Sequence, residues 1–253
     1  MRMILITLLF MPVFSFAQPM CEVSGEATCD DGLDNDGDGH IDCGDIDCSL
    51  NFQTFMDCSC EGQANNPEGC IVFVTSTLHA GTFGGVDPQL GFDICQDAAA
   101  KSANPDLRGR FLPWLSDNDF IPFGLFQTMI GENKYVLPDG TQIADNFTDI
   151  LNCDEQGQQC LEAAINIDEF GNAIDPNSET RVWTGNIIDD INNNYFFGNF
   201  FVNCGFDQQT SYWTNSDISG TFGNALSTDF GWAVNDFETV SCTTPLRIYC
   251  FQQ

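Results

Sequence analysis

The pattern of hydrophobic and polar residues predicts a chain with little helix and many short strands. Residues 71–75 form a run of β-branched and aromatic side chains, which is typical of a buried strand. Leu90, Ile94 and Ala98 recur at intervals of four, so residues 88–103 are predicted to form an amphipathic helix. After that helix, the apolar segments are short and interrupted by Gly, Asn and Asp, which indicates strands joined by loops. Residues 246–251 predict a final strand.

The first residues of the chain, 1–17, have the order of a secretory signal peptide. An arginine is followed by an apolar stretch over residues 4–14, and Ser15 and Ala17 place small residues at the positions that precede a cleavage site. The apolar stretch is too short to span a bilayer, which needs about 20 apolar residues. A lipoprotein anchor at Cys21 is the alternative, but the Gln-Pro-Met before it is a poor lipobox. The sequence therefore predicts a secreted or surface-displayed protein with no membrane span.

Composition supports an extracellular, disulfide-bonded protein with a strong negative charge. The sequence holds 13 cysteines, all after the predicted cleavage site, and thiols oxidise outside the cell. Their odd number leaves one cysteine that is free or pairs with another chain. With 37 acidic residues against 7 Lys and Arg, the formal net charge is −30. Such a field repels nucleic acids and heparin, so neither is expected as a partner, and it attracts divalent cations.

The acidic residues cluster most strongly over residues 29–48, which read CDDGLDNDGDGHIDCGDIDC. A calcium loop carries oxygen ligands at positions 1, 3, 5, 7, 9 and 12, and a glycine at position 6. The residues at these ligand positions are Asp34, Asp36, Asp38, His40 (through its backbone carbonyl), Asp42 and Asp45. Calcium is therefore the predicted cofactor, because five carboxylates packed this closely repel one another without a cation. The alternative is an acidic linker that binds no ion.

The calcium loop differs from an EF-hand in two respects. Its last ligand is Asp45 rather than a glutamate, and cysteines rather than helical patterns flank it. In this it resembles the thrombospondin type 3 calcium repeats and the aspartate-rich modules that precede many bacterial surface domains. Residues 18–50 are therefore predicted to be a cysteine-rich calcium-binding segment with a structural role. Residues 51–69 follow as a linker.

A second resemblance covers the main domain, residues 70–253. It rests on STLHAGTFGGVDPQLGFDICQDAA with LRGRFLPWLSD, then KYVLPDGTQIADNFTDIL, VWTG and SCTTPLRIYCF, in this order. These motifs are similar to the endostatin-like domain of bacterial surface proteins, which has the C-type-lectin-like fold. The resemblance implies an α+β domain, rich in disulfides, with two helices around a twisted antiparallel sheet and long loops.

Two disulfides are implied by the same resemblance, and a third is expected from spacing. The implied pairs are Cys95–Cys250 and Cys204–Cys242. A local bridge is expected between two cysteines seven residues apart, Cys153 and Cys160. The sequence does not decide how the other cysteines pair. These are Cys21, Cys29, Cys43, Cys48, Cys58, Cys60 and Cys70.

Four residues are candidates for ligand contact. The segment from Asp175 to Asn177 reads Asp-Pro-Asn and resembles the sugar-binding EPN motif of calcium-dependent lectins; the alternative is an ordinary turn. Tyr212 and Trp213 follow a segment rich in aromatic and amide residues, which suits sugar stacking or a protein interface. The alternative for these aromatic residues is packing in the core.

No catalytic motif is evident, so the chain is not expected to be an enzyme. Neither an HExxH motif nor a spacing that pairs a nucleophile with a base is present. The resemblance implies an adhesion protein that binds an extracellular protein or glycan, since relatives attach to host matrix proteins or serum factors. One alternative is a calcium-dependent carbohydrate-binding module. The other is a secreted glycosidase, which would need two facing carboxylates.

Overall fold

The computed structural model describes most of the main domain. The described residues are 69–83, 89–104, 107, 109–115, 133–151, 153, 159–185, 188–191, 194–197, 204, 213, 217–235 and 238–252. The predicted signal peptide, the predicted calcium loop with its six predicted ligands and the predicted linker up to residue 68 lie outside them.

The described residues contain two helices and eleven strands. The helices are α1 (Gln89–Lys101) and α2 (Phe147–Leu151). The strands are β1 (Cys70–Val74), β2 (His79–Ala80), β3 (Phe111–Pro113), β4 (Tyr135–Val136), β5 (Gln142–Ala144), β6 (Arg181–Trp183), β7 (Ile188–Ile191), β8 (Asn194–Phe197), β9 (Ser219–Asn224), β10 (Thr239–Ser241) and β11 (Pro245–Gln252). The predicted first strand, amphipathic helix and final strand are confirmed as β1, α1 and β11, with small shifts at their ends.

Nine of the strands form one mixed sheet, and β7 and β8 form a separate hairpin. The order of the main sheet is β10-β9-β6-β11-β1-β4-β5, with β2 and β3 also paired to β11. Strand β11 is antiparallel to β1, β2 and β3 but parallel to β6, and β1 is parallel to β4. The expectation of an antiparallel sheet is therefore wrong in these two pairs. The chain passes through other elements between the strands of each parallel pair, which leaves room for the crossover that parallel pairing requires.

Strand β11 is central because its side chains are buried on both faces. Every residue from Leu246 to Gln252 is buried. Tyr249 and Phe251 belong to one hydrophobic cluster, whereas Ile248 and Cys250 belong to another on the opposite face, as the two-residue period of a strand requires. A strand covered on both sides reads as a continuous apolar run, which is why its position in the chain could be predicted.

Three disulfides fix the described part of the domain. Cys95 on α1 is joined to Cys250 on β11, with a Cα–Cα distance of 5.5 Å. The pairs Cys204–Cys242 and Cys153–Cys160 are also present. These are the three pairs expected from the sequence. Within the described residues, no helix is long and apolar enough to cross a bilayer.

Candidate functional site

A tight turn between Ile167 and Ala173 carries one side of the candidate site. These two residues form an isolated β-bridge, and the carbonyl of Asp168 accepts a hydrogen bond from the Gly171 N–H at 2.9 Å. Gly171 has a φ of +80°, which a residue with a side chain rarely adopts. The Asp168 carboxylate accepts bonds from the N–H groups of Phe170 and Asn172, at 2.9 and 2.8 Å. Aspartate at the first position and glycine at the last are the residues that such a turn demands.

Glu169 joins this turn to the segment that follows β1. Its side chain is buried, at 2% exposure. The two carboxylate oxygens accept hydrogen bonds from the Ser76 N–H at 2.8 Å and from the Ser76 hydroxyl at 2.5 Å. The Glu169 carbonyl accepts a third bond, from the Ser102 hydroxyl just beyond the end of α1, at 2.6 Å. One acidic residue therefore holds three separate segments together.

Arg247 fixes the same segment from the central strand. The guanidinium donates to the carbonyl oxygens of Thr75 and Ser76 at 2.6 and 3.0 Å, and to that of Glu179 at 2.8 Å. Burial lowers the pKa of Arg247, while the nearby carboxylates, led by Asp168, raise it. Because the guanidinium bonds to main-chain carbonyls on both sides of β11, it fixes the backbone after β1 as well as the entry to β6.

Two large hydrophobic side chains project from these fixed segments. Leu78 is 43% exposed and Phe170 is 52% exposed, and among the described residues they are the exposed large hydrophobic side chains. Leu78 lies two residues after Ser76, and Phe170 directly follows Glu169, so the hydrogen bonds between Ser76 and Glu169 connect their segments. We call Leu78 and Phe170 the exposed pair.

The local sequence around Leu78 and Phe170 carries only weak signals for this site. The Asp-Glu-Phe-Gly-Asn stretch has the composition of a turn, but turn composition does not reveal that Glu169 is buried. Leu78 lies in the Ser-Thr-Leu-His-Ala stretch, where the burial of a single leucine depends on packing with distant residues. Both residues of the exposed pair were missed for this reason.

His79 lies next to the exposed pair and contacts a hydroxyl group. Its Nε2 atom is 2.8 Å from the Thr77 Oγ1 atom, and its carbonyl accepts a bond from the Trp183 indole at 2.9 Å. Burial, and then the Lys101 ammonium, lower the pKa of the imidazole. If Thr77 and His79 were a catalytic nucleophile and base, a further group would have to orient the second ring nitrogen of His79, and hydrogen-bond donors would be needed for an oxyanion. In the described part of the chain, no hydrogen bond is made to the Nδ1 atom of His79.

Asp175 and Asn177 are brought together, but they bond to each other. The backbone N–H and the side-chain amide of Asn177 both donate to the Asp175 Oδ1 atom, each at 2.9 Å. These bonds lower the pKa of Asp175, the backbone bond most strongly. The Ser178 N–H closes the turn on the Asp175 carbonyl at 2.9 Å. This is the geometry of the ordinary turn that was the alternative to a sugar motif.

Trp213 is packed in the core. It is 7% exposed, and its ring centroid is 5.6 Å from that of Trp183 and 5.2 Å from that of Phe83. It belongs to the cluster that contains the disulfide cysteines Cys204 and Cys242. Its ring therefore offers no open face for sugar stacking. Tyr212 lies outside the described residues.

No metal site is evident in the part of the main domain that the structure describes. Within these residues, no group of three or more His, Cys, Asp or Glu side chains is arranged to hold a metal ion. The predicted calcium ligands all precede residue 69 and so lie outside this search.

Comparison with protein-family models and with curated proteins gives no match to this chain. The functional inference therefore rests on the sequence and on the geometry of the described residues.

Proposed function

We propose that this protein is an exported, calcium-binding adhesion protein that recognises an extracellular protein ligand without catalysing a reaction. The observation that carries the proposal is the exposed pair, Leu78 and Phe170. Phenylalanine is enriched at the core of protein interfaces, and the fixed backbone holds both apolar side chains where a partner can bury them.

The rigidity of the exposed pair supports a binding role. Asp168 satisfies the N–H groups of its own turn, and Glu169 ties that turn to Ser76. Because these bonds exist in the free protein, little conformational entropy is lost when a ligand covers the two side chains. Such preorganisation favours recognition of a defined surface.

The charge of the chain defines the chemistry of the partner. A formal net charge of −30 repels acidic surfaces and steers basic ones towards the protein. Exposed Asp175, whose pKa is lowered, adds a negative charge four residues before the partly exposed ion pair of Glu179 and Arg181. We therefore infer a protein partner with a basic surface that presents an apolar side chain to the exposed pair.

The fold and the calcium loop complete the proposal. The endostatin-like, C-type-lectin-like assignment is supported by two helices, a many-stranded sheet and three disulfides in the expected positions. Calcium binding by Asp34 to Asp45 is supported by ligand spacing alone. In this proposal the ion stiffens the segment ahead of the main domain and takes no part in chemistry. The contact between Thr77 and His79 is structural, since a half-buried imidazole satisfies its ring nitrogen locally.

The test is a solid-phase binding assay with immobilised collagen, laminin and fibronectin, and a glycan array beside them. The wild type is compared with the double variant Leu78→Asp/Phe170→Asp. A matched control, Thr239→Asp/Thr243→Asp, adds the same two charges at exposed positions. We expect binding to at least one matrix protein, reduced at least tenfold in the first variant and unchanged in the control.

Two results would count against the proposal. Equal loss in both variants would show that charge alone, and not the exposed pair, decides binding. Binding to glycans that the Leu78→Asp/Phe170→Asp variant retains would favour the carbohydrate-binding alternative instead.

A further inference from the structure

Cys70 begins the first strand of the main sheet and is bonded to another cysteine. It is 2% exposed and disulfide-bonded. The backbone around it is fixed, because its N–H donates to the Lys134 carbonyl at 2.9 Å and it pairs with Tyr135 on β4. Gly69 precedes it with a φ of +122°. A disulfide at this position therefore attaches to a rigid part of the domain.

The partner of Cys70 does not lie in the described part of the main domain. The other six cysteines described by the structure pair among themselves, as Cys95–Cys250, Cys153–Cys160 and Cys204–Cys242. The 13 cysteines of the sequence therefore leave six candidates. The candidates are Cys21, Cys29, Cys43, Cys48, Cys58 and Cys60.

We propose that Cys70 pairs with one of these six residues, so that part of the chain ahead of the main domain is covalently closed onto the main sheet. A partner among Cys21, Cys29, Cys43 and Cys48 makes the cysteine-rich segment and the main domain one cross-linked unit, and Cys58 or Cys60 ties the linker itself to β1. In either case residues 51–69 are not a free linker. If the partner lies in residues 18–50 and that segment binds calcium, the stiffened loop is attached to β1 through sulfur as well as through the backbone. The proposal itself does not depend on calcium.

The same pairing also determines which part of the chain holds the one cysteine left over from the odd total of 13. If one of the six candidates bonds to Cys70, five remain, and five cannot all pair within one chain. All seven cysteines from Cys70 onward are then used. The cysteine whose thiol is free, or bonded to another chain, therefore lies before residue 61. Every cysteine of the main domain is then in a disulfide within the chain.

Disulfide mapping tests both parts of the proposal. The exported chain is denatured at acidic pH with N-ethylmaleimide, digested without reduction and analysed by mass spectrometry. Cleavage after Glu and Asp residues separates Cys70 from the six candidates at Glu61 and Glu68, and from Cys95 at Asp93, so a linked pair of peptides shows which part of the chain holds the partner of Cys70. We expect Cys70 in a peptide linked to one from residues 18–61, and the maleimide label or an interchain bond only within residues 18–61.

Two results would overturn the proposal. One is a maleimide label on Cys70, and the other is a peptide that links Cys70 to a cysteine of the main domain. A label on any cysteine after residue 70 would refute the placement of the odd cysteine. A Cys70→Ser variant provides the control, because the linked peptide assigned to Cys70 must disappear in it. Calcium binding is measured separately, so failure of this proposal is distinguishable from failure of the proposed function.

Discussion

Replacing Glu169 tests whether buried polar bonds hold the exposed pair in place. Glu169→Ala removes the acceptor of two hydrogen bonds from Ser76, and the Ser76 N–H is then left without that partner. Hydrogen bonds to a charged group contribute about 1.5–3 kcal/mol each. Ser76 is half-buried, so water replaces part of the loss, and we expect the free energy of unfolding to fall by about 3 kcal/mol.

Glu169→Gln is the matched control for this prediction. Glutamine keeps one oxygen that accepts from the Ser76 N–H, and its amide donates to the Ser76 hydroxyl, so we expect a loss of about 1 kcal/mol or less. Urea unfolding measures both free energies, and hydrogen exchange at residues 75–80 reports the local effect. Faster exchange there is expected in the alanine variant alone. Equal loss of stability in the two variants, or unchanged hydrogen exchange at Ser76 in Glu169→Ala, would show that the Glu169–Ser76 hydrogen bonds do not hold this segment in place.

Three further predictions concern pH, a disulfide and the buried arginine. The pKa of His79 in the folded state lies below its usual value of 6.5, so the unfolded state binds the proton more readily and the free energy of unfolding falls as pH drops below about 6.5. In urea unfolding at stepped pH, His79→Gln flattens this fall and His40→Gln leaves it unchanged. Equal slopes in the wild type and both variants would contradict the assignment of the fall to His79. Replacing Cys95 and Cys250 by alanine opens a loop with a sequence separation of 155 and lowers the free energy of unfolding by about 5 kcal/mol; a loss under about 2 kcal/mol would contradict the loop-entropy argument. Arg247→Lys keeps the charge but not the fork that reaches three carbonyls, so chemical unfolding should show a loss of about 2–3 kcal/mol, and no loss would mean that charge alone suffices.

The elements that could be predicted from the sequence are those whose signal is local. Strand β1 is a continuous run of buried residues, and α1 carries an apolar face at intervals of four. Strand β11 has a run long enough to be recognised because it is buried on both faces. In each case the side chains that decide the structure are neighbours in the chain.

The candidate site depends on contacts between distant residues, and so it could not be predicted. Ser76 and Glu169 are 93 residues apart, and no local pattern indicates that a glutamate in a polar turn is buried against a serine. The parallel pairing of β1 with β4 likewise depends on the path of the chain between them. Asp175 and Asn177 show the reverse case, because the turn that is the alternative to a sugar motif is formed by bonds between neighbouring residues.

Calorimetric titration of the purified protein with calcium tests the proposed calcium binding most directly. The wild type is compared with the variant Asp34→Asn/Asp36→Asn/Asp38→Asn, which removes three carboxylates of the loop and keeps the shape of their side chains. We predict one binding event in the wild type, with a dissociation constant on the order of 10⁻⁴ to 10⁻³ M, and its loss in the variant. No event in the wild type would contradict calcium binding, and an event that survives in the variant would place the ion outside the predicted calcium loop.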